Sequence, residues 1–171
     1  MNVRIFICCL VGSLGLIGNI VACSETHTDI TPPRSDCTVS ASAVIGAAGG
    51  SLHVPISDKG PLAGAQVSFP SNALQREMQV TLSWCAHNIS LRKGTPSGIV
   101  VDLSVDGGID RFNAPVTLEL PDPKMGIFNM PIPYQVESNG RLHVAQLLSY
   151  SRINKRLVIS VFGPGKYSWS H

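Results

Sequence analysis

The sequence is short of charged and aromatic side chains, and this shortage narrows the classes of protein it can represent. Asp, Glu, Lys and Arg make up 14% of its 171 residues, and Phe, Trp and Tyr make up 6%. Soluble domains usually carry about 25% charged residues. The formal net charge is +2, which is too small to indicate binding to nucleic acid. Sixteen Gly and twelve Pro favour an exported β-rich domain over a cytosolic helical one.

Motifs for common catalytic chemistry are also missing from the sequence. Gly46, Gly49 and Gly50 are not followed by the Gly-Lys-Ser/Thr of a phosphate loop, and no Gly-x-Ser-x-Gly elbow occurs. The sequence contains no pair of cysteines with CxxC spacing and no pair of histidines with HxxxH spacing, which weakens the interpretation of the cysteines as metal ligands. We therefore predict a protein that is not an enzyme and that needs no cofactor or metal.

Three alternatives stay open at this stage. An envelope hydrolase could use an unrecognised Ser/His pair, although His143 is predicted to face solvent from a strand. Asp106 and Asp110 could bracket a small calcium site. Trp84 and Trp169 could form a sugar platform, although core packing is the simpler role for both.

The N-terminus has the pattern of an export signal. Arg4 supplies a positive charge, and residues 5–22 are apolar apart from Ser13 and Asn19. Residues 20–23 (Ile-Val-Ala-Cys) resemble the bacterial lipobox. This resemblance implies that residues 1–22 are removed and that Cys23 carries fatty acyl chains on its thiol and its new amine. Ordinary secretion and an uncleaved short anchor are the alternatives.

Residues 23–36 are predicted to form a lipidated N-terminus and a disordered tether. They lack apolar periodicity and contain Pro32-Pro33. Thirteen residues after Cys23 extend to at most about 45 Å and average about 20 Å as a coil. We expect an exported protein anchored by lipid in the bacterial cell envelope, with the outer membrane favoured.

Residues 37–171 alternate between apolar and polar positions, as β-strands do, and show no convincing helical period. The alternating runs are residues 52–56, 67–69, 78–84, 99–105, 116–120, 134–136, 142–148 and 157–161. Asn139-Gly140 predicts a type I′ hairpin turn, and residues 71–75 could form one helical turn. About eight or nine short strands predict an antiparallel β-sandwich, with a closed barrel as the alternative.

The five cysteines divide by position. Cys8 and Cys9 belong to the apolar run, and Cys23 ends it. Cys37 and Cys85 are left in the folded part, and export places them where a disulfide can persist. We predict a Cys37–Cys85 disulfide, with two free thiols as the alternative.

Several segments resemble ZU-five-like domains, which occur in ankyrins, netrin receptors and many bacterial exported proteins. These segments are residues 44–52 (VIGAAGGSL), 67–70 (VSFP), 72–74 (NAL), 80–82 (VTL), 107–120 (GGIDRFNAPVTLEL) and 162–169. The resemblance spans roughly residues 40–170 and implies a β-sandwich. Asn72 replaces the usual Gly. The family's His-Phe-Ser tripeptide is absent around Phe162, so the backbone self-cleavage of some relatives is not expected.

The resemblance also implies a role in protein contacts, because ZU-five-like domains mostly mediate them. We therefore expect a membrane-tethered interaction or structural module whose partner is another envelope protein and not nucleic acid. Such a module should expose an apolar patch or an unprotected edge strand.

Overall fold

A computed structural model describes residues 37–86, 97–126 and 130–171 of the chain. It contains eleven strands in these ranges, somewhat more than the sequence predicted. The strands are β1 (Cys37–Ile45), β2 (Gly50–His53), β3 (Gln66–Phe69), β4 (Met78–Ala86), β5 (Ile99–Val105), β6 (Val116–Pro121), β7 (Ile132–Val136), β8 (Leu142–Val144), β9 (Gln146–Ser151), β10 (Arg156–Val161) and β11 (Gly165–Ser170).

The strands form two antiparallel sheets, and the predicted β-sandwich is confirmed. One sheet has six strands in the order β1-β4-β5-β11-β7-β8, and the other has five in the order β2-β3-β6-β10-β9. The described residues contain no helix. The helical turn considered for residues 71–75 is therefore wrong. Asn72 has a φ of 63°, in the left-handed region, which breaks a right-handed turn.

The core lies between the two sheets and is built from the alternating apolar residues of each strand. Leu82 and Leu103 from the six-stranded sheet, and Leu118 and Ile159 from the other, are almost inaccessible to solvent. Their polar neighbours along each strand point outward because successive side chains alternate between faces. Phe112, in the connection before β6, closes the core by packing edge-to-face on Phe69, with ring centroids 5.4 Å apart.

The antiparallel pairings separate the connections into two ends. We call the end where β1 begins the Cys37 end. It carries the connection between β2 and β3 (residues 54–65), the β6–β7 connection and the β9–β10 turn (residues 152–155). The opposite end carries the β1–β2 turn, the β3–β4 and β5–β6 connections, and the β7–β8 turn.

The hairpin predicted at Asn139-Gly140 exists, because Val136 on β7 pairs with Leu142 on β8. Its predicted turn type is wrong. Gly140 has a φ of 80°, but Asn139 does not have the positive φ that a type I′ turn requires. The amide of Gly140 donates to the carbonyl of Glu137, and the amide of Glu137 donates to the carbonyl of Arg141, each at 2.9 Å. The connection is therefore a three-residue loop closed by a left-handed glycine.

The strand predicted over residues 142–148 is two strands that belong to different sheets. β8 ends at Val144 in the six-stranded sheet, and β9 begins at Gln146 in the five-stranded sheet. The change of sheet at Ala145 reverses which side chains face the core. Leu147 packs against the core, whereas Val144 and Leu148 are exposed, contrary to the predicted alternation.

Candidate functional site

Cys23, predicted to carry the lipid, lies outside the described residues, and its acylation stays a prediction. The part of the chain that the structure describes contains no helix with the length and hydropathy of a membrane span.

Cys37 and Cys85 form the predicted disulfide. The two residues are direct cross-strand partners on β1 and β4, and their Cα atoms are 4.2 Å apart. β1 is an edge strand, whereas β4 lies between β1 and β5. The bond therefore fastens the first described residue of the domain to an interior strand.

Two of the described histidines, His53 and His143, lie at the surface. Ser51 Oγ lies 2.9 Å from His53 Nε2, but both residues are exposed on the outer face of β2. His143 is exposed, as predicted, and its Nε2 lies 2.8 Å from Glu137 Oε1. A nucleophile and its base usually work in a cleft that positions the substrate and excludes water, whereas both of these pairs are exposed.

Two shallow cavities flank Arg111 at the opposite end. Their volumes are about 270 Å³ and 380 Å³. Both are lined by Arg111 and Asn113, and Arg76 also lines the smaller one. Neither cavity is lined by a serine or histidine, so the predicted hydrolase alternative gains no support from them.

The calcium and sugar alternatives likewise find no built site. Within residues 37–86, 97–126 and 130–171, no three His, Cys, Asp or Glu side chains cluster as metal ligands would. Trp169 is buried in the core, and Trp84 is half-buried against it. A sugar platform needs an exposed ring face, which Trp169 does not offer.

An apolar surface runs along the outer face of the β7–β8 hairpin. We call it the β7–β8 strip, and it consists of Ile132, Tyr134, Val136, Leu142 and Val144. Tyr134 lies directly opposite Val144, and Val136 lies opposite Leu142. Val144 is 73% exposed and Ile132 is 40% exposed. Cross-strand neighbours on one face touch, so the five side chains form one patch.

The rim of the β7–β8 strip is charged. Lys166 on β11 lies beside Val136, and Asp102 on β5 lies beside Lys166. Burial raises the pKa of Asp102 above its ordinary value, and the positive charge of Lys166 opposes part of that rise. An apolar centre beside a polar rim is the usual anatomy of a protein interface.

A buried ionisable pair lies at the Cys37 end. His171 Nε2 is 3.3 Å from Asp122 Oδ2, and both side chains are at least nine-tenths buried. Burial raises the pKa of Asp122, while the charge of His171 and the indole N–H of Trp169 lower it again in part. Neither Asp122 Oδ2 nor the imidazole nitrogens form a hydrogen bond of good geometry within the described structure.

Sequence reasoning missed both the β7–β8 strip and the Asp122–His171 pair. The alternation of Tyr134, Val136, Leu142 and Val144 was visible, but it does not say which face is covered by a second sheet. Asp122 and His171 are far apart in sequence, and no local pattern links them. The β7–β8 register and the contact of His171 with Asp122 are visible in the three-dimensional structure alone.

Comparison with known proteins adds no assignment. No protein-family model matches the chain, and no curated protein matches it significantly.

Proposed function

We propose that this chain is a lipid-anchored module of the bacterial cell envelope that binds another envelope protein through the β7–β8 strip. The observation that carries the proposal is an apolar patch on an outer sheet face, with Val144 73% exposed at its edge. Monomeric soluble proteins rarely leave large contiguous apolar patches facing water, and such patches commonly mark interaction sites.

The form of the edge strands favours contact through side chains over addition of a strand. β8, which contributes Leu142 and Val144 to the patch, is an edge strand of three residues. So short an edge offers few backbone groups to a new strand. The long edge strand β1 carries a bulge between Val39 and Ala41, which interrupts its ladder. A partner therefore gains more by covering the aliphatic side chains and Tyr134 than by extending the sheet.

The lipid anchor and the envelope location are supported by the sequence. Residues 20–23 have the lipobox pattern after an apolar run, and Cys37 and Cys85 are oxidised, as export permits. The similarity to ZU-five-like domains supports a role in protein contacts. Asn72 departs from the family's Gly, but its φ of 63° keeps the left-handed backbone that a Gly would adopt.

The partner is tested by placing a photo-crosslinking residue at Lys166, beside the strip, in the full chain expressed in its own envelope. Val144→Asp should abolish the crosslinked product, because a buried unpaired carboxylate opposes binding. Val44→Asp is the matched control. Val44 is 61% exposed on the same sheet face but on β1, at the far edge. Equal loss in both variants, or no effect of either, would contradict the proposal.

The anchor has an independent test. Intact-mass analysis of the protein purified from membranes should show a chain that begins at Cys23 and carries acyl groups. Cys23→Ala should give an unprocessed or released protein, because each buried CH₂ of an acyl chain contributes about 0.8 kcal/mol to membrane binding. An unmodified N-terminus in the wild type would refute the anchor and leave the β7–β8 strip untouched.

A further inference from the structure

We infer that the Cys37 end of the sandwich is a docking surface for the anionic headgroups of a lipid bilayer. The inference rests on the lipid anchor of the proposed function for its location at a membrane. It concerns a different surface from the β7–β8 strip. The residues that form this surface, which we call the basic end, are Ile56, Lys59, Lys124, Arg152, Ile153 and Lys155.

The basic end combines protruding aliphatic side chains with cations. Ile153 is 95% exposed at the tip of the β9–β10 turn, between Arg152 and Asn154, and Ile56 is 84% exposed in the β2–β3 connection. An aliphatic side chain among cations is the pattern of a surface that inserts shallowly among lipid headgroups. Each Lys or Arg near an anionic surface adds to the attraction.

The loops of the basic end are fastened to one another. Arg156 Nη1 donates to the carbonyl of Gly64 at 2.7 Å, which joins the start of β10 to the β2–β3 connection. The amide of Asp122 donates to the carbonyl of Lys155 at 2.7 Å, and Lys155 Nζ donates to the carbonyl of Pro123 at 3.1 Å. The side chains are therefore presented by a pre-organised surface, which lowers the entropy lost on binding.

Lys155 has a backbone conformation that is uncommon for a lysine. Its φ is 49°, a conformation in which Gly or Asn is the usual choice. The β7–β8 turn uses Gly140 in the equivalent conformation. The β9–β10 turn has an exposed lysine in this conformation, and its Nζ donates to the carbonyl of Pro123.

The described charges are distributed unequally between the two ends. At the Cys37 end, Asp58 is half-buried and accepts a hydrogen bond from the amide of Gly60, and Asp122 is buried beside His171. Glu119, near the end of β6, is partly exposed and paired with Arg156. The fully exposed charges of the described residues at this end are therefore cations. At the opposite end the charges are mixed: Arg76, Glu77, Asp106, Asp110, Arg111, Glu137 and Arg141. Among the described residues, the exposed cations are therefore in excess at the Cys37 end alone.

The position of the N-terminus selects a bilayer as the occupant. β1 begins at Cys37, so the predicted tether joins the sandwich at the basic end. The predicted tether has thirteen residues, which extend to at most about 45 Å, so a lipid anchor at Cys23 would keep this end near the bilayer. Tethering at that range gives an effective concentration of the order of millimolar, so a weak intrinsic affinity is enough for docking.

Docking is tested on the full chain reconstituted in vesicles, with an environment-sensitive fluorophore on Asn154→Cys. A second preparation carries the label on Ser138→Cys, in the β7–β8 turn at the opposite end. Vesicles of phosphatidylcholine are compared with vesicles that also contain phosphatidylglycerol. We expect lipid-attached quenchers to reach the label at position 154 in anionic vesicles alone, and salt should reverse the effect. The label at position 138 should stay in water in both.

Variants of the basic end identify the groups responsible. Arg152→Gln and Lys155→Asn should each weaken docking about fivefold, and Lys155→Asn keeps a residue that tolerates the left-handed backbone. Ile153→Asn should reduce the depth of the label. Arg141→Gln and Val44→Asn are the matched charge and aliphatic controls at the opposite end, outside the β7–β8 strip, and we expect no change from them.

The outcomes separate this inference from the proposed function. Equal quenching at positions 138 and 154, or none in anionic vesicles, would overturn the docking surface. Protection of position 154 by an envelope protein but not by vesicles would also overturn it. Salt-sensitive quenching at position 154 in a chain whose mass shows no acylation would retain the docking surface and refute the anchor.

Discussion

Cys37 and Cys85 lie directly opposite each other on β1 and β4 and are joined by a disulfide across 48 residues of chain. A closed loop of this length restricts the unfolded state, and the chain-entropy model gives about 4 kcal/mol of stabilisation. The bond also holds β1 on the sheet, since an edge strand has a partner on one side alone.

Loss of this disulfide should therefore lower the free energy of unfolding by up to about 4 kcal/mol. The measurement is urea denaturation of the protein with and without reductant, alongside a Cys37→Ala, Cys85→Ala double variant. Reductant should leave the double variant unchanged. Two reactive thiols in the unfolded, unreduced wild type would contradict the bond itself.

Phe112 should be among the most sensitive positions of the core. It is buried edge-to-face on Phe69, and the amide of Phe112 donates to the carbonyl of Phe162 at 2.8 Å. Phe112→Ala should cost about 3–5 kcal/mol, because it removes a large buried ring and leaves a cavity. Phe162→Ala is the matched control. Phe162 is 46% exposed, and its truncation should cost much less in the same thermal unfolding assay.

Gly163 should not tolerate a side chain. A Cβ atom at this position would overlap the carbonyl oxygen of Asp110, which belongs to a backbone that cannot rotate away. Gly163→Ala should cost about 1–3 kcal/mol through overpacking. At Gly46 the added atom would meet Glu77 Cγ at 3.3 Å, and that flexible side chain can move. Equal unfolding free energies for Gly163→Ala and Gly46→Ala would refute this explanation.

Asp122 should make the folded state more stable in acid than near neutrality. Burial raises its pKa above the ordinary 3.8, and the charge of His171 opposes part of the rise. Above pH 3.8 the unfolded chain therefore releases the proton while the folded chain still holds it. The contribution of Asp122 to stability falls as the pH rises from that value through the raised pKa, and then levels off.

The comparison that isolates this effect is wild type against Asp122→Asn, each unfolded in urea over a series of pH values. The stability of the wild type relative to the variant should decline over that acid window. An increase with pH would mean that the pairing with His171 outweighs burial.

The sequence was sufficient to predict structural features that depend on residues close together along the chain. The alternation of Val80 with Leu82 and of Val101 with Leu103 correctly predicted buried strand faces, since the period of two is a local property. The disulfide was predicted because the predicted export signal and the predicted lipidation of Cys23 left one pair of cysteines.

Features that depend on which sheet a strand joins could not be predicted. Residues 142–148 alternate as one strand would, yet the change of sheet at Ala145 exposes Val144 and buries Leu147 in part. The β7–β8 strip exists for the same reason, because its apolar face points away from the second sheet. Periodicity defines two faces of a strand but does not identify the one that meets the core.

The placement of β11 has a consequence for the timing of folding. β11 begins at Gly165 and lies between β5 and β7, where it pairs with Leu103 on one side and with Val136 on the other. Until this strand has been synthesised, the six-stranded sheet lacks its central link, and β7 and β8 have no sheet to join. Pairings over such sequence distances form slowly. A chain that must cross a membrane before it folds would gain from this order, because the six-stranded sheet cannot be completed until the β11 segment has emerged from the ribosome.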